Sequence, residues 1–185
     1  MNVANMTQLE DVIFHKIQNY QGSELELKEI FCLIHIWGGN RGASVFRNYP
    51  NPDMNAIIPH YKKLVNICLS TPIPNNNTLE SALDAAQKSI TDVYNAIISF
   101  HGTIKGIGPS FLTKHTRFWL TKNNPRNQLP IYDSTFAEHI MGYNSPCSPQ
   151  FNDIIPFWRC MITKANVEHV SLLSLERQLF NYWTH

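Results

Sequence analysis

The stretch Ile104-Lys105-Gly106-Ile107-Gly108-Pro109-Ser110 holds residue types and a spacing suited to binding an anion. Two glycines one residue apart let a tight turn enter φ > 0 conformations and let backbone approach a ligand closely. The helix that follows starts with unpaired N–H groups, which suit a phosphate. Lys114 stands one helical turn beyond Ser110, on the same face. Asp133 follows Leu129-Pro130-Ile131-Tyr132 and has the position of a helix N-cap. A GxG turn is also a common plain connector, so this reading stands beside the anion-binding one. Metal and disulfide chemistry are poorly served. Cys32, Cys68, Cys147 and Cys160 are scattered without a C-x-x-C pair, and no two histidines stand at H-x-x-x-H spacing. No metal site is expected, and the thiols suit a reducing cytoplasm.

The elements that must position these residues read as helices punctuated by Pro and Gly. Ser23 and Glu26 form a capping-box pattern that opens a helix through Ile30, Phe31, Leu33 and Ile34, ended by Gly38-Gly39. Asn40 to Pro52 is rich in Gly, Asn and Pro and is expected to be irregular. A helix is predicted from about Met54 to Leu69, with Pro59 tolerable only in its first turn or at a kink. After the break at Thr71 to Asn77, Asn77 and Glu80 repeat the capping pattern. Residues Thr78 to Phe100 follow as one long helix or two short ones. A helix to Leu120 leaves the glycine turn, and further helices are predicted at 134–141, 150–164 and 171–183. Alternating strand patterns are scarce. The predicted class is all-α, as a single domain over 1–185.

The segment from 97 to 140 resembles the hairpin and catalytic aspartate of the helix-hairpin-helix DNA glycosylases. Their pattern is roughly L-P-G-[VI]-G-x-[KS]-x-A, followed about twenty residues on by Pro-[ILV]-x-Asp. Here the two parts read IKGIGPSFL and Leu129-Pro130-Ile131-Tyr132-Asp133. The wording GIGPSFLTK and LPIYDS is most similar to the small bacterial 8-oxoguanine-glycosylase-like proteins, some of them found among phage-defence genes. The resemblance implies a glycosylase-like helical bundle that excises a damaged or modified base from double-stranded DNA. It implies that Asp133 stabilises the cationic sugar formed as the base leaves, or activates the nucleophile. Members that also cut the strand carry a lysine two residues after the second glycine, where this chain has Ser110. Serine there resembles the members in which water attacks. Lys114, 19 residues before Asp133, is the alternative nucleophile. Lys105, Gly106, Gly108, Ser110 and Arg117 are the expected phosphate contacts. Trp37, Arg41 and Trp183, with Phe180 and Tyr182 nearby, are candidates for the base pocket or for DNA contact. Trp119 and Trp158 sit in apolar helical patterns and are expected in the core. The four-cysteine iron–sulfur cluster of other members is absent from the pattern here. No resident cofactor is expected, although a monovalent cation at the hairpin is compatible with the motif.

The formal net charge of +1 excludes a protein held on nucleic acid by bulk charge. The distribution is uneven, with +5 over residues 93–132 and +3 over 30–79, against −3, −2 and −2 for 1–29, 80–92 and 133–185. The acid-free stretch holds the hairpin and ends just before Asp133, where a phosphate backbone would lie. No long apolar run predicts a membrane span, and the first residues show no secretion signal. A monomeric cytoplasmic bacterial protein is expected. A non-catalytic helix-hairpin-helix DNA-binding module and a helical protein-interaction domain stand as alternatives, and RNA stands beside DNA as a substrate.

Overall fold

The computed structural model describes residues 3–38, 54–73, 79–104, 107–122 and 128–184. Among these the protein is all-α, with no strand. Helix α1, Val3–Asn19, is not among the predicted helices. Its signal is the recurrence of Leu9, Ile13 and Ile17 every fourth residue, which buries one stripe against the core. Helix α2, Glu24–Trp37, starts at the predicted place without the predicted box. The Ser23 hydroxyl caps nothing, and the Glu26 carboxylate accepts instead from the Gln21 N–H at 3.3 Å.

Helix α3, Met54–Ser70, carries Pro59 in its second turn rather than its first. Helix α4, Leu79–His101, is one continuous element, as the longer of the two expectations had it. Helix α5 spans Pro109–Leu120 and helix α6 the short Ser134–His139. The predicted helix at 150–164 divides into a 3-10 turn, Phe151–Asp153, and α7, Ile154–Val167. Helix α8 spans Leu172–Thr184. The irregular segment Asn40 to Pro52 and the Asn77 cap lie outside the described residues.

Helix α4 packs between α3 and α7, α1 packs on α2, and α5 touches α1, α2, α3 and α4. Every residue of α5 except Ser110 and Lys114 is buried. An all-round buried helix is usually apolar. This one buries Thr113, His115, Thr116 and Arg117 as well, each of which needs a partner inside the protein. Trp119 and Trp158 lie in the core at 0% exposure, as expected. No helix among the described residues is long and apolar enough to cross a membrane.

Candidate functional site

Helix α5 carries Lys114 and steers the segment that ends in Asp133. Residues 129–132 form no regular element, so their backbone groups must be satisfied by something other than a ladder. Three helices supply side chains for this. Trp158 Nε1 of α7 donates to the Pro130 carbonyl at 2.9 Å. The Ile131 N–H donates to Glu176 Oε1 of α8 at 2.6 Å. The Tyr132 N–H donates to Thr113 Oγ1 of α5 at 3.0 Å, and that hydroxyl in turn donates to the Pro109 carbonyl. Asp133 then caps α6, with Oδ1 accepting from the Phe136 N–H at 3.2 Å. The carboxylate expected at a helix N-terminus is there, at the end of a clamped segment.

Asp133 lines a cavity of about 260 Å³, together with Lys114, Trp37 and Arg117. Ile131, Phe136 and Phe180 supply apolar wall, and Glu10, Glu176 and Arg177 complete the charged lining. Lys114 Nζ lies 4.7 Å from the ring centroid of Phe111 and 5.8 Å from that of Trp37. Trp37 packs edge-on to Phe118, and its indole N–H has no acceptor among the described residues. Gly38 also borders the cavity, where a Cβ on it would run into the Phe111 ring.

Arg117 takes a different place from the phosphate contact expected of it. It is 4% exposed, with Nη2 at 3.2 Å from Glu10 Oε1 and Nε at 3.4 Å from Glu176 Oε2. The second contact is an ion pair without an aligned hydrogen bond. Burial pushes the Glu176 carboxyl up from its ordinary pKa, while Arg117 and the Ile131 N–H hold it down and Asp133 pushes it up further. Lys122, also part of the basic stretch, donates to the Ile17, Gln18 and Tyr20 carbonyls at 3.0, 3.1 and 2.8 Å. It closes the end of α1 rather than facing solvent as a free cation.

Of the other expected contacts, Ser110 is half-buried on the first turn of α5 and faces the same way as Lys114. Gly108 caps α5 at φ −87°, ψ 177°, an extended backbone open to any residue, so the positive φ expected of it is not used. Lys105, Gly106 and Arg41 lie outside the described residues. Trp183 is stacked on His139 at 4.7 Å and meets Phe136 edge-on, so it backs a cavity-wall residue without lining the cavity itself, which Phe180 of the same helix does.

The residues missed from sequence are Glu10, Glu176 and Arg177. Glu176 had a readable signal. Leu172, Leu175, Leu179 and Trp183 form the apolar stripe of α8, and Glu176 falls on it. A carboxylate on a buried stripe needs a charged or N–H partner.

Beneath Phe111 lies a chain of buried polar rings. His35 Nδ1 is 3.0 Å from the Phe31 carbonyl and 3.2 Å from His115 Nε2. His115 Nδ1 is 2.7 Å from Tyr61 Oη, which accepts from Trp119 Nε1 at 2.6 Å. A carbonyl only accepts, so His35 carries its proton on Nδ1, and His115 Nε2 is the acceptor. Burial, with Lys114 adding repulsion, lowers the His35 pKa to about 4 despite the bond to Phe31. Burial, then His35 and Lys114, takes His115 well below its ordinary value. Among the described residues no group of His, Cys, Asp and Glu is arranged to hold a metal. No family model, curated protein or solved structure matches this chain.

Proposed function

We propose that the protein is a DNA N-glycosylase that removes a damaged or modified base from duplex DNA in a bacterial cytoplasm. The observation that carries the reading is the cavity in which Asp133, Lys114 and Trp37 meet, from three separate parts of the chain. Three acidic and three basic side chains line it, so its formal charge is balanced. A balanced, partly aromatic cavity suits a neutral planar base better than a phosphate. In this scheme the target nucleotide swings out of the helix and its base enters between the rings of Trp37, Phe136 and Phe180. As the glycosidic bond breaks, the Asp133 carboxylate offsets the positive charge that develops on the sugar. Water completes the displacement beside Asp133, and Lys114 contributes its positive charge near the departing base.

The test is a panel of duplexes carrying different modified bases, read by mass spectrometry for released base. Asp133→Asn keeps a good helix cap and removes the charge. It is expected to lower release by about 10²- to 10³-fold with little change in stability. Salt-dependent duplex binding without release from any substrate would leave the non-catalytic binding module as the better description.

A further inference from the structure

We propose that Glu176 is the positioning residue for Asp133, fixing where that carboxylate stands and which charge stands beside it in the cavity. The consequence for rate rests on the glycosylase reading; the coupling between the two carboxylates does not.

Glu176 acts in two directions. Its Oε1 takes the Ile131 N–H at 2.6 Å, two residues before Asp133, and this short charge-assisted bond fixes the backbone that delivers the cap. Its Oε2 holds Arg117 Nε at 3.4 Å in the cavity wall. Arg117 is shared with Glu10 on the other side, and Arg177 Nη2 lies 3.9 Å from the same Glu10 oxygen. The charged groups around the pair are therefore Glu10 from α1, Lys114 and Arg117 from α5, and Arg177 from α8. Asp133 makes Glu176 harder to ionise, and the effect is mutual because the interaction energy is one quantity. Glu176 thus supports Asp133 through the backbone and opposes it through space. Arg117, held between the glutamates, offsets the second effect.

Glu176→Gln separates the two effects. Glutamine keeps an acceptor of the same reach for the Ile131 N–H and loses the charge, while Glu176→Ala loses both. The full chain is titrated by carboxyl ¹³C NMR, with circular dichroism confirming the fold of each variant. In Glu176→Gln the Asp133 midpoint is expected to fall, because the neighbouring negative charge is gone. In Asp133→Asn, which keeps its helix cap, the Glu176 midpoint falls in the same way. Unmoved midpoints in both variants overturn the proposal. On an active substrate, the acid limb of the pH profile for base release moves down in Glu176→Gln by the same interval. Glu176→Ala loses about tenfold more kcat than Glu176→Gln, and equal losses would overturn the positioning role. A wild-type chain that releases no base sinks the glycosylase reading alone, because the titrations need no substrate and decide the coupling by themselves.

Discussion

Lys114 sits over two aromatic faces, and that placement bears on what it does. The faces of Phe111 and Trp37 attract an ammonium and not a free amine. A Schiff-base nucleophile must be the free amine. Borohydride trapping on an abasic duplex is therefore expected to give no adduct at neutral pH, either with the wild-type chain or with Lys114→Ala. A wild-type adduct abolished by Lys114→Ala would make Lys114 the nucleophile and add a strand-cutting step. At this scale the sequence is legible where spacing carries the information. Ser110 and Lys114 share a face because they are four residues apart, and they are the two residues of α5 left unburied. Asp133 is legible as a cap from the residues around it. Glu176 is not placed beside it by any spacing, since it stands 43 positions further on and α7 intervenes.

At the scale of elements, Gly38 and Gly108 exchange the weights that the motif suggests. Gly38 has an ordinary φ of −67°, but the Phe111 ring occupies the place of its Cβ. That ring is stacked on His35 at 5.3 Å and cannot move freely. Gly38→Ala is expected to destabilise the fold by about 1–3 kcal/mol in urea unfolding. Gly108→Ala meets nothing within 4 Å at an ordinary φ and should change stability by less than about 0.5 kcal/mol. The reverse order would show that the hairpin glycine is needed for the fold itself. Helix α1 shows why local signals fall short. It has no acidic first turn, and Lys122, more than a hundred residues away, holds the Ile17 and Gln18 carbonyls of its last turn. Removing that lysine, as Lys122→Ala, should loosen α1 by about 1 kcal/mol. It should leave the salt dependence of duplex binding unchanged, because Lys122 neutralises no phosphate. A slope reduced by about 0.9 would place it on the DNA instead.

For the molecule as a whole, the buried histidine pair ties stability to pH. His35 and His115 are held neutral in the folded protein and are free to take protons near pH 6.5 when unfolded. The unfolded chain therefore binds more protons than the native one between pH 6.5 and about 4, and stability rises with pH across that window. Acidification from pH 7 to 5 is expected to cost on the order of 1–2 kcal/mol per histidine, read from urea midpoints. His35→Gln should flatten that dependence, and an equal slope in the variant would remove His35 as its source. The electrostatics of the basic middle also take shape only at this scale. Of its five cations, Arg117 is enclosed by glutamates from α1 and α8, and Lys122 is spent on α1. Lys114 faces the cavity, and Lys105 and Arg126 lie outside the described residues. The acid-free segment is thus not an acid-free environment, because the acids arrive from distant helices.

The all-helical class, most helix ends, the cap at Asp133 and the shared face of Ser110 and Lys114 were determined by the sequence alone. Each depends on residues within a few positions of one another, where helical period and capping chemistry act directly. The cavity, the glutamates around Arg117 and the three-helix clamp on residues 130–132 were decided by the tertiary structure. Burial created those pairings: Arg117 and Glu176 each become costly once out of water, and the packing that buries them supplies the partner.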